Sequence, residues 1–144
     1  MSEQRNEKTV GVQVAFAADA RGAGVAYAAI DDAGRQTVVR VAFRAKDASA
    51  AAGREIAYAA LGAVAERLRP RLAEANVRFY TADEALSADL SERRPLPAAL
   101  TMPYVALRCR LNRFRSATVR LARSAEIGDL TARAIAEVSL HVAA

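Results

Sequence analysis

The sequence predicts an α/β domain built on a five-stranded mixed sheet, with elements in the order β-β-β-α-β-α-α-β-α. Three observations lead to that class. Residues 10–44 alternate apolar and other side chains with period two, broken by short turns. From about residue 49 the apolar period lengthens to that of a helix. From Val77 onward, short apolar runs alternate with further helical stretches. At 144 residues the chain is sized for one domain. Residues 1–8 are expected to be a disordered lead and 9–144 the folded unit.

Val10, Val12, Val14 and Phe16 alternate as in a half-buried strand. Turn chemistry follows at Asp19–Gly22 and a second strand at Val25–Ile30. Asp-Asp-Ala-Gly at 31–34 is a hairpin signal, and Gln36–Arg44 alternates again. Strands joined by turns this short form an antiparallel meander. In the helix expected from Ser49 to Arg69, Ala57, Leu61, Val64 and Leu68 fall within about 60° of one another, the face that lies on the sheet. Pro70 is expected to end that helix. Val77–Thr81 is a strand reached by a helical crossover, which calls for a parallel partner. Asp83 opens a short helix ending before Glu92. Leu96–Phe114 is helical, better formed from Thr101 because Pro103 suits a first turn. Ala117–Ala122 is the fifth strand and Ser124–Leu140 the final helix.

Composition excludes several function classes. The single cysteine, Cys109, allows neither a disulfide framework nor a cysteine-based zinc site. The single histidine, His141, leaves Ser–His and Cys–His catalytic pairs unsupported. A metal here would be held by carboxylates, which favours Mg²⁺ or Mn²⁺. No uncharged apolar run reaches the ~18 residues of a membrane span. The polar start MSEQRNEK lacks an apolar core like that of a signal peptide. A cytoplasmic setting is the expectation.

Charge is unevenly spread. Residues 1–92 carry 12 Lys+Arg and 13 Asp+Glu, whereas residues 93–125 carry eight Arg and no acid. The net charge of +5 therefore comes from that second segment. Arg93, Arg94, Arg110, Arg113 and Arg115 are the candidate contacts to nucleic-acid phosphates. Tyr104 and Phe114, the aromatic residues there, fall on the apolar side of their helix. Backbone contact without base readout is thus the form expected.

Asp83 stands where a strand runs into a helix, a place where α/β folds put their sites. It is equally the residue type that caps a helix N-terminus. Asp129, near the start of the final helix, suits the macrodipole. Asp19 suits a turn.

Four local runs carry a resemblance to a known family. Ile56-Ala57-Tyr58-Ala59-Ala60-Leu61 is similar to a helix start reading Ala-Glu-Tyr-x-Ala-Leu. Thr81-Ala82-Asp83-Glu84-Ala85-Leu86 is similar to a strand end reading Ser-Asp-Ser-x-x-Leu. Pro103–Phe114 followed by Val119-Arg120-Leu121 matches the next helix and strand. Gly128-Asp129-Leu130-Thr131-Ala132 is similar to Ala-Asp-x-Leu-Ala. With the element order, these runs resemble the ribonuclease H family over residues 10–140.

The resemblance implies a ribonuclease H-like fold and two-metal hydrolysis of the RNA strand in an RNA–DNA hybrid, with Mg²⁺ or Mn²⁺ held by carboxylates. Carried over residue by residue, the acids fall on Asp19, Asp83 and Asp129, with Ala18 the alternative to Asp19. The family's helix Glu falls on Ala57, which ligates nothing. Glu55 is a poor substitute, about 160° round the helix from position 57. The family's Asn pair before this helix is replaced by Ala52-Gly53. The expected function is a catalytically impaired or inactive domain that binds nucleic-acid backbone, as hybrid or duplex, through residues 93–125. An active Mg²⁺- or Mn²⁺-dependent endoribonuclease and a non-catalytic, self-associating interaction protein are the alternatives.

Overall fold

The structure, a computed structural model, describes residues 8–46, 53–92 and 95–143. The elements are β1 (Thr9–Ala18), β2 (Ala23–Asp32), β3 (Arg35–Arg44), α1 (Glu55–Leu72), β4 (Asn76–Thr81), α2 (Glu84–Ser91), a 3₁₀ turn (Ala98–Leu100), α3 (Thr101–Leu111), β5 (Ser116–Leu121) and α4 (Ser124–Ala143). The strands form one sheet in the order β3-β2-β1-β4-β5. β1–β2 and β2–β3 are antiparallel, while β1–β4 and β4–β5 are parallel. This is the expected mixed sheet, and β4 has two parallel partners because helical crossovers lead into both β4 and β5.

Alternation sends the side chains of each strand to two different layers. Val10, Val12 and Val14 of β1, with Val77 and Phe79 of β4, face α1, α2 and α3 in the larger core cluster. Ala15, Val25, Tyr27 and Ala29 face α4 in a smaller one with Ile127, Leu130 and Ala134. The helix face expected from spacing is the buried one: Ala57, Leu61, Val64 and Leu68 are all enclosed. Full burial of a leucine such as Leu61 stabilises the fold by about 1.5–3 kcal/mol relative to exposure.

The helix boundaries differ from expectation in several respects: α3 ends at Leu111, short of Phe114, and α4 runs past Leu140 to Ala143. Pro70 lies inside α1, which continues to Leu72. The ring removes one hydrogen bond, to the carbonyl of Glu66. Both Glu66 and Pro70 are on the exposed side, while Leu68 and Leu72 anchor the last turn in the core. Burial of those two leucines outweighs the local cost. The expected start near Ser49 lies outside the described residues.

α4 is held on its face of the sheet by a polar clamp. The Tyr27 hydroxyl donates to Glu137 Oε1 at 2.5 Å, and Arg40 Nε donates to the same carboxylate at 2.7 and 2.8 Å. Tyr27 and Arg40 are cross-strand partners, so β2 and β3 present them together. The guanidinium of Arg133 stacks 4.6 Å from the Tyr27 ring centroid. The hydrogen bond to Glu137, together with burial, pushes the Tyr27 hydroxyl pKa above its ordinary value.

The β2–β3 hairpin turns on Ala33 (φ 55°) and Gly34 (φ 84°), the pair of positive φ angles of a type I′ turn. Glycine adopts this freely, but alanine is strained there. Asn tolerates the left-handed region and is preferred at this position. Ala33→Asn is therefore expected to stabilise the fold by up to about 1 kcal/mol, measured as a higher denaturant midpoint with an unchanged m-value.

Candidate functional site

β1 and β4 end at the same edge of the sheet, because they are parallel neighbours. Their last paired residues are Val14 and Thr81. Beyond that pair β1 continues to Ala18, whereas β4 ends and Asp83 becomes the N-cap of the next helix. Phe16 packs against the larger core cluster, which also holds Ala57. Its ring meets Phe43 edge-on at 6.4 Å. The end of β1 thus carries hydrocarbon at Phe16, and the first turn of α1 carries both Ala57 and the buried Glu55.

Asp83 is the N-cap of α2. Its Oδ1 accepts the N–H of Leu86 at 2.8 Å, and its own N–H donates to Thr81 Oγ1 at 3.1 Å. Asp19 lies three residues beyond Phe16, about 10 Å of extended chain, in the β1–β2 turn. There its carboxylate accepts the N–H groups of Arg21 at 2.8 Å and Ala23 at 3.1 Å. Ala18, the alternative to Asp19, is half-buried at the end of β1, where it pairs across to Gly24. Asp129 is exposed and lies in the second turn of α4, past the end where the macrodipole acts; Glu126 is the first-turn acid. Among the described residues, no group of three or more His, Cys, Asp or Glu is placed to hold a metal ion. Asp19, Asp83 and Asp129 are thus not brought together. The donor set does not fit the two-cation centre that the family resemblance implies.

Two other carboxylates are the buried ones among the described residues, Glu55 at the start of α1 and Asp89. Asp89, in the last turns of α2, has a side chain with 0% exposure. It accepts a hydrogen bond from the Tyr58 hydroxyl at 2.6 Å and pairs with Arg54 Nη2. The trio ties the start of α1 to the end of α2. Burial, followed by the hydrogen bond to and charge of Asp89, pushes the Tyr58 pKa well above 10.0. The sequence held one signal for this: Asp89 falls between Leu86 and Leu90 on the buried side of a short helix.

The arginines of residues 93–125 have several different fates. Arg93 and Arg94 lie outside the described residues. Arg108 turns inward, donating from Nε to Tyr104 Oη at 3.0 Å and from Nη2 to the Leu90 carbonyl. Arg110 faces Glu66 at 3.6 Å and lies across Gly62, where an added Cβ would sit 3.1 Å from its Nη1. Arg115 donates to the Glu74 carbonyl at 3.0 Å and approaches its carboxylate at 3.9 Å. Arg113 is exposed and makes no ion pair among the described residues. The acid-free segment thus meets acids supplied by α1 and the turn that follows it.

α1 also adds cations that segment-by-segment counting hides. α1 and α3 pack together, and α1 carries the exposed Arg67 and Arg71 and the half-buried Arg69. Arg44 and Lys46 are exposed at the end of β3. Between these elements lies a groove of about 590 Å³, bounded by β3, α1 and the N-terminal half of α3. Its lining includes Val41, Phe43, Ala59, Ala63, Pro103 and Ala106, with Arg44, Lys46, Arg67 and Arg110 at its rim.

Two substitutions check this geometry. Asp83→Ala removes the cap and is expected to cost about 1 kcal/mol of stability, whereas Asp83→Asn, which still accepts from the Leu86 N–H, should cost far less; chemical denaturation of both variants measures the difference. For Tyr58, the folded pKa is raised above the unfolded value of about 10. The unfolded chain therefore loses this proton first, so the stabilisation is complete below pH 10 and declines as pH rises from there. Tyr58→Phe is expected to be less stable than the parent at neutral pH but to lose less of its stability between about pH 10 and 11, followed by circular dichroism.

By sequence, no family model and no curated protein matches the chain. Solved structures do match by fold. The N-terminal RNase H domain of a Mycobacterium tuberculosis protein, solved as a fusion with maltose-binding protein, superimposes with a TM-score of 0.72 at 14% identity, covering 96% of this chain and 100% of that one. RNase H1 from the halophilic archaeon Halobacterium salinarum gives a TM-score of 0.67 at 14% identity, covering 89% and 92%. LC11-RNase H1, in complex with an RNA/DNA hybrid, gives 0.66 at 13% identity, covering 89% and 97%. The chain has the ribonuclease H fold.

Proposed function

We propose that this ribonuclease H-like domain binds the sugar–phosphate backbone of nucleic acid and has lost two-metal cleavage at its strand ends. The observation that carries the reading is that no group of three or more His, Cys, Asp or Glu gathers to hold a metal among the described residues, while Ala57 is buried in the core where the resemblance puts the helix Glu. Two-metal hydrolysis needs carboxylates converging on both cations. Asp83 caps a helix, Asp19 closes a turn and Asp129 points outward, so each has a local task that needs no metal. Fold alone does not decide function; the residues at the site do.

Binding is supported by the cations gathered on α1, α3 and the end of β3, among which Arg113, Arg67 and Arg71 are exposed and make no ion pair among the described residues. Arg110 and Arg115 contribute less than their place in the sequence implies, since Glu66 and Glu74 lie close to them. A structural neighbour, LC11-RNase H1, was solved with an RNA/DNA hybrid. That neighbour supports the polyanion-binding reading. No helix among the described residues is long and apolar enough to cross a membrane.

The experiment is fluorescence anisotropy with labelled RNA–DNA hybrid and DNA duplex across a salt series, alongside a cleavage assay in Mg²⁺ or Mn²⁺. Binding is expected to weaken steeply with salt, with a log–log slope of about −3 for three or four phosphate contacts. Arg113→Glu and Arg67→Glu should each lower affinity and make the slope shallower by about one unit. Neither metal is expected to produce cleavage. Hybrid cleavage that Asp83→Asn abolishes would defeat the reading and establish an active nuclease.

A further inference from the structure

We infer that the groove between β3, α1 and α3 holds unpaired bases, so that the nucleic acid this domain prefers is a single strand; this rests on the backbone-binding reading above. The groove has two chemically distinct parts. Its floor is hydrocarbon, from Val41, Phe43, Ala59, Ala63, Pro103 and Ala106. Its rim is cationic, with Arg44, Lys46, Arg67 and Arg110 outnumbering Glu55 and Glu66. Met102, 73% exposed, stands at the α3 side, with the exposed Val105 on the same helix. Isolated apolar side chains on a surface need no explanation, but an apolar floor beneath a basic rim does.

A duplex leaves most of this unused. Its bases are stacked inside, so it presents sugar and phosphate to the rim and nothing to the floor. A single strand exposes flat apolar base faces between its phosphates. Those faces are what apolar and aromatic floors bind in sequence-tolerant single-strand sites, while cations track the backbone. The volume of about 590 Å³ falls in the range of ligand-sized pockets, roughly 300–1,000 Å³. Exposed cations also follow beyond the groove, at Arg71 one turn past Arg67 on α1 and at Arg113 after α3. A row of successive phosphates makes use of such a track, whereas a short acidic peptide has use for the rim alone. Phe43 already rests edge-on against Phe16, so its ring is held in place before any ligand arrives.

The test is anisotropy at low salt with a labelled single-stranded oligonucleotide of roughly 12 nucleotides and with the RNA–DNA hybrid of the same sequence. The single strand is expected to bind about tenfold more tightly than the hybrid, the effect of one or two stacked bases. Met102→Ser and Ala106→Gln change exposed groove positions without changing charge. They should erase the single-strand preference and leave hybrid affinity unchanged, while Arg113→Glu should weaken both ligands alike. Equal or tighter binding of the hybrid overturns the inference but leaves backbone binding standing, as does a preference that survives both groove substitutions. Failure of both ligands to bind defeats the backbone reading with it. If an acidic amphipathic peptide binds the groove and neither nucleic acid does, the groove serves a protein partner and the inference is wrong.

Discussion

β1 and β4 lie side by side and parallel at the centre of the sheet, with Val10, Val12 and Val14 set in register against Val77, Phe79 and Thr81. These side chains form the floor on which α1 rests, so the pairing positions the helix layer as well as the sheet. In a buried strand a slip of one residue turns every side chain to the opposite face. The register is therefore tightly specified by the hydrocarbon on both sides of it. It also brings the ends of β1 and β4 to the same edge of the sheet.

The polar ties of the molecule are placed where helices would otherwise slide on an apolar surface. Asp89 receives Tyr58 and Arg54 at the junction of α1 and α2, and Glu137 receives Tyr27 and Arg40 under α4. Hydrophobic contact is non-directional, whereas a buried carboxylate demands particular donors. Removing a partner of the fully buried Asp89 costs about 3–5 kcal/mol, whereas the Glu137–Arg40 pair is partly exposed and screened by water. These carboxylates do structural work, in contrast to the strand-end acids from which catalysis would be expected. Both ties consume tyrosines that might otherwise face a ligand. That leaves Phe43 as the aromatic in the groove that is neither fully buried nor tied by a hydroxyl bond.

The basic character of the molecule is a property of its packing. Helices α1 and α3 come from regions of opposite charge bias in the sequence, yet they lie together. Contact between them partly neutralises Arg110 through Glu66 and brings Arg67 to the rim of the same groove as Arg110. Long-range potential depends on the spatial sum of charge, whatever the order along the chain. The exposed Arg113 gains in importance because its neighbours Arg108, Arg110 and Arg115 already have partners.

Local pattern in the sequence determined the sheet and its flanking helices, because period two and period 3.6 are consequences of backbone geometry that neighbouring residues reveal. The alternating valines of β1, the α1 stripe of Ala57, Leu61, Val64 and Leu68, the Asp83 cap and the family resemblance were all legible that way. Ala57 alone already marked the metal site as incomplete. Whether the three acids converge was decided only in three dimensions, since they come from segments far apart in sequence. Asp19 accepts N–H groups of its own turn and Asp83 caps a helix, and with Asp129 they form no metal-holding group among the described residues. The arginine segment looked free of acids until α1 and the following turn brought Glu66 and Glu74 to it. Pro70 looked like a helix end until the burial of Leu72 outweighed its lost hydrogen bond. The groove had no signature in the sequence, because its floor and rim come from three elements that meet only when the chain has folded.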